Sequence, residues 1–100
     1  MGDVRPNIIK VLGQVIRVNY CQLPDCQGEY DPNEQVIKVD ETICPNLQRL
    51  VIWHELTHVL EDLFSIELSE TEVCALSTGF VQIMLDNKEL ADWSFGSVIK

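Results

Sequence analysis

Two metal-type ligands and a base lie within five residues, at His54-Glu55-Leu56-Thr57-His58. These are the only two histidines in the chain. On a helix, residues four apart share one face, so His54 and His58 can aim an imidazole nitrogen each at one ion. Two histidines on Zn²⁺ leave room for a third protein ligand and a water. The ion lowers the pKa of that water toward ~7, and Glu55, beside the ligands, is placed to take its proton. The flanks are apolar: Leu50, Val51, Ile52 and Trp53 before, Val59, Leu60, Leu63 and Phe64 after. A histidine pair on a buried helix needs polar partners, and a metal supplies one to both.

The elements that must position this motif follow from pattern. Leu47, Leu50, Val51, His54 and His58 recur at the helical period, and Pro45 suits a first turn. This predicts a helix to about Phe64. Before it, Ile8–Leu12 and Val15–Tyr20 flank Gly13-Gln14, which predicts a β-hairpin with a type II′ turn. Ile16, Val18 and Tyr20 share one face of the second strand. Glu29-Tyr30 and Gln35–Asp40 add further strand, separated by an Asp31-Pro32-Asn33 turn. After the motif, Ser69-Glu70-Thr71-Glu72 has the form of a capping box and opens a second helix through about Asp86 or beyond. In the tail, Trp93 and Phe95 are candidates to pack back.

The expected class is therefore α+β. A small antiparallel sheet of three or four strands is followed by two packed helices carrying the H-E-x-x-H site. With 100 residues the chain reads as one domain, residues 1–100.

The third ligand comes from the second helix. Glu72 heads a stripe with Leu76, Gly79, Phe80 and Ile83 that reads as its inward face, and Gly79 would allow a close helix crossing. A short connection makes the helices antiparallel neighbours, so Glu72 is the expected ligand beside His54 and His58. Glu70 competes but falls off the stripe, and the alternative role for Glu72 is a cap alone. Glu61 and Asp62, one turn beyond His58, read as solvated or as orienting groups.

Composition bounds the partners. A formal net charge of −9 with seven Lys plus Arg excludes a phosphate-binding footprint, so no nucleic acid is expected. No apolar run reaches membrane length, and Met1–Pro6 lacks the apolar segment of a leader. The expected location is cytoplasmic, in a bacterial or phage-infected cell. Cys21, Cys26, Cys44 and Cys74 are expected as free thiols. Cys21 and Cys26 have the spacing of half a zinc site, and Cys74 reads as a small core residue.

Together these residues resemble the small phage and prophage H-E-x-x-H metallopeptidase-like proteins, and more distantly the ImmA/IrrE-type domains. The matching stretches are Gly28–Asp31 with Val36–Asp40, His54–His58, Leu68–Val73, and Gly79-Phe80 on to Asp86-Asn87. The resemblance implies a minimal, gluzincin-type zincin fold. It also implies a zinc peptidase with His54, His58 and Glu72 as ligands and Glu55 as base, acting on a peptide or protein substrate. The competing expectation is a small acidic phage-type binding or inhibitor module with a structural zinc.

Overall fold

A computed structural model describes residues 5–96. Four strands come first: β1 (Ile8–Val11), β2 (Gln14–Cys21), β3 (Gly28–Asp31) and β4 (Val36–Asp40). Three helices follow: α1 (Pro45–Phe64), α2 (Glu70–Asp86) and α3 (Lys88–Phe95). The α+β class expected from the sequence is the class observed.

The sheet is mixed. Its order is β1-β2-β4-β3. β1 pairs β2 and β3 pairs β4 antiparallel, but β2 and β4 run parallel from Arg17↔Val36 to Cys21↔Asp40. The expected all-antiparallel sheet is corrected here. The loop after β2 carries the chain one strand beyond its neighbour, and β4 then inserts between β2 and β3. The composition of β4 explains why it takes the centre. Val36, Ile37 and Val39 are all buried, as suits a strand covered by neighbours.

The β1–β2 turn also differs from expectation. Its two loop residues are Leu12 (φ 49) and Gly13 (φ 83), both positive. That is the type I′ geometry, whose twist matches a hairpin, rather than the predicted type II′. Gly13 takes the second left-handed position at no steric cost.

Ile16 and Val18 of β2, Ile37 and Val39 of β4, and Val51, Ile52 and Val59 of α1 form one apolar cluster. The face that Ile16 and Val18 share is the buried one. α1 thus lies across the sheet. Its opposite flank receives α2, which packs on α1 and α3. Gly28 lets β3 come down onto α1: a Cβ there would collide with Val51 Cγ1 and stand 3.5 Å from Glu55 Cγ. Any larger residue would push the edge strand off the helix at the level of Glu55.

The ends of α1 and α2 fall where the sequence places them. α1 starts with Pro45 in its first turn and stops at Ser65, in the left-handed conformation. α2 has the full capping box: Glu72 N–H donates to Ser69 Oγ, and Ser69 N–H donates to Glu72 Oε1. α3 was not resolved as a helix in the sequence. It buries no residue, so no inward stripe marks it.

Among the described residues no helix is long and apolar enough to cross a membrane. The expectation for the leader rests partly on residues 1–4, outside the described range.

Candidate metal centre

α1 presents His54 and His58 on its flank facing α2, one turn apart, with ring centroids 5.0 Å apart and planes at 69°. The rings do not stack. Each turns its Nε2 to the same point, where the first residue of α2 arrives. His54 Nε2 is 3.1 Å from Glu70 Oε2, and His58 Nε2 is 3.4 Å from Glu70 Oε1. Among the described residues, these three side chains form the group whose ligand atoms lie within 4.8 Å of one another.

The spacing fits a metal. Ligands at ~2.0–2.1 Å in tetrahedral array stand about 3.3 Å apart, close to both contacts. The proton pattern fits as well. His58 Nδ1 is 2.6 Å from Glu61 Oε1, a carboxylate that can only accept. The hydrogen of a neutral His58 is therefore on Nδ1, and Nε2 turns a lone pair toward Glu70. Lone pairs meeting a carboxylate without a shared hydrogen repel, and a cation between them removes the conflict.

Glu61 has a second task. Its Oε2 accepts the Leu68 N–H at 2.7 Å. That bond and the His58 contact hold its carboxyl below the usual range. One side chain thus fixes the tautomer of His58 and pins the connection that delivers Glu70. A carboxylate behind a ligating histidine is a recurrent metal-site device. Of the two expectations for Glu61, the orienting one describes its contacts.

Glu72, the expected third ligand, is not in the cluster. It is the third residue of α2, and its carboxylate turns back to the cap. Glu70, the first residue, stands over the histidines instead. The reason is the rotation of α2. Its buried positions are Val73, Ser77 and Val81, with Glu70 one turn before Val73. Leu76, Phe80 and Ile83, taken as the inward stripe, are 56%, 40% and 52% exposed. Small residues, not large ones, face α1. Cys74 also departs from expectation: it is exposed, with Sγ 3.8 Å from His54 Nδ1. All four cysteines are free thiols, and Cys21 and Cys26 join no ligand cluster among the described residues.

Glu55 sits on the sheet side of the same helix, 7% exposed. No other described side chain or backbone group hydrogen-bonds its carboxylate. Burial raises its pKa above the ordinary glutamate value, against the pull of both histidines. With His54, His58 and Glu70 it lines a groove of about 1050 Å³ between β3, α1 and the start of α2. The walls carry six carboxylates, Glu29, Glu55, Glu61, Asp62, Glu67 and Glu70, and no Lys or Arg. Such a lining concentrates cations.

β3 is the edge of the sheet on this side. Asp40 N–H donates to Gln27 O at 2.8 Å. Antiparallel alternation then turns Glu29 and Asp31 toward β4 and leaves the backbone groups of Gly28 and Tyr30 on the open side. β4 is interior and has no free edge. Tyr20 is remote from the groove's lining and donates its hydroxyl to Pro6 O, whereas Tyr30 lines it.

The chain matches no protein-family model, and neither a curated protein nor a solved structure matches it. What can be stated of the site is therefore its geometry: two histidines and a glutamate arranged to hold a metal ion.

Proposed function

We propose that this protein is a zinc-dependent peptidase that uses Glu55 as general base. The observation that carries the proposal is the convergence of His54, His58 and Glu70 in the groove that Glu55 also lines. Zn²⁺ suits a His₂Glu set, and when bound it supplies a water of lowered pKa and polarises a carbonyl.

The protein's own residues do the rest. His54, His58 and Glu70 would hold the ion at the wall of the groove. Glu61 keeps the His58 hydrogen on Nδ1. Glu55 accepts a proton from the attacking water and returns it to the leaving amine nitrogen. Partial burial raises its pKa, which makes the carboxylate a stronger base for that transfer. The open edge of β3 offers backbone groups at Gly28 and Tyr30 to an extended substrate. Tyr30 lines the groove and is the candidate to stabilise charge on the carbonyl oxygen.

A binding module with a structural zinc would explain the three ligands. It gives no reason for a carboxylate of raised pKa to line the groove next to them.

The test is digestion of a peptide library by the zinc-loaded protein, read by mass spectrometry. Cleavage is expected that stops with chelator and returns with zinc. A zinc-loaded protein that cleaves no peptide would reject the peptidase reading and favour the binding module.

A further inference from the structure

The stripe that the sequence offered as the inward face of α2 is real but faces outward. Glu72, Leu76, Gly79, Ile83 and Asp86 follow one another at spacings of four, three, four and three, which keeps them on one side of a helix. Leu76 and Ile83 are more than half exposed. None of the five lines the metal groove. Phe80, beside them, touches Trp53 of α1, with ring centroids 5.0 Å apart. The apolar surface therefore continues onto α1 at Trp53, which is itself exposed. A continuous face of this kind exceeds the scattered apolar residues of ordinary surfaces.

Gly79 adds a second observation. Glycine in the middle of a helix weakens it. A Cβ at Gly79 would meet nothing within 4 Å, so no contact inside the chain requires the glycine. Its position at the centre of the exposed seam fits the close approach of a helix from outside.

Charge decides what kind of helix. From Pro45 to Gly96 the chain has nine Asp or Glu and two basic residues, Arg49 and Lys88, while residues 5–44 have six and four. The negative charge is concentrated in the helical half that carries the apolar face. Two copies packed through it would bring like charge together, which opposes self-association. Glu72 and Asp86 close the seam at its two ends. They are 14 residues apart, about 21 Å along the helix.

We infer that this face docks a basic amphipathic helix of another protein. Its apolar residues lie along Leu76 and Ile83, its backbone crosses at Gly79, and a Lys or Arg near each end, about four turns apart, meets Glu72 and Asp86.

The test uses three synthetic 18-residue peptides and the full chain. The first is a leucine-seam helix with a lysine pair at each end. The second has glutamates in place of the lysines. The third has the composition of the first with the lysines moved to the middle. Binding is read by fluorescence polarisation at two salt concentrations, and sedimentation of the protein alone reports its oligomeric state. The first peptide is expected to bind at least tenfold tighter than the other two, and more weakly at high salt. Gly79→Met, a better helix former, is expected to melt no lower than the parent yet bind the peptide at least tenfold more weakly. Leu76→Glu is expected to abolish binding. Equal binding of the three peptides, undiminished binding by Gly79→Met, or a dimer dissociated by Leu76→Glu would each overturn the inference.

Discussion

Glu70→Gln is expected to lower zinc affinity by well over a hundredfold, while Glu72→Gln leaves it within a few-fold of the parent. Glu70 oxygens stand 3.1 and 3.4 Å from the two histidine Nε2 atoms. An amide there removes the site's negative ligand and offers a poorer donor, so the loss exceeds the ~10–100-fold typical of an orienting partner. Glu72 instead accepts the Ser69 N–H, and a glutamine can do the same in a capping box. Glu61→Gln falls between them. It keeps an acceptor for His58 Nδ1 but loses charge, and should cost about tenfold to a hundredfold. Competition with a chromophoric chelator measures all three. Equal losses for Glu70→Gln and Glu72→Gln would remove Glu70 from the site.

The second large effect is on chemistry. Glu55→Gln should keep the zinc and the fold but reduce peptide hydrolysis by about a hundredfold to ten-thousandfold, the span of general-base contributions. The amide fills the same space and cannot accept a proton. Stability provides a second reading. Burial raises the Glu55 pKa in the metal-free protein, so the folded state binds its proton more tightly than the unfolded one. Its contribution is therefore present in acid and is lost as pH rises through the folded value. Melts in chelator should show Glu55→Gln more stable than the parent at neutral pH, with the gap closing as the pH falls. Glu61 titrates the other way: its lowered pKa contributes stability above the ordinary glutamate range that is lost in acid. A hydrolysis rate unchanged in Glu55→Gln would reject it as the base.

Much of this was legible before any coordinates. The histidine pair and Glu55 carry their spacing with them, and the start of α2 follows from the Ser69 and Glu72 capping box. The face of β2 followed from alternation at Ile16 and Val18. The sequence reading sets Glu72 where the structure sets Glu70, for a physical reason. The rotation of α2 was read from its largest apolar residues, but a helix pressed against another buries small ones, here Val73, Ser77 and Val81. Leu76 and Ile83, left outside, imitated a core stripe. A capping box also satisfies the carboxylate it recruits. Glu72 was thus the acid least free to bind a metal, and that constraint was visible in the sequence. The parallel β2–β4 pair was not. Strand direction depends on where the loop from Gln22 to Gln27 deposits β3, and no residue type encodes that. The apolar density of β4 was the one trace of its central position.

The most direct test of the account is metal content per chain, measured by elemental analysis after zinc loading and extensive dialysis. The parent is expected to retain about one zinc per chain, and His54→Ala and His58→Ala to retain essentially none while remaining folded by circular dichroism. Zinc retained equally by the parent and both variants, or by none of them, would contradict the metal centre on which the proposed function rests.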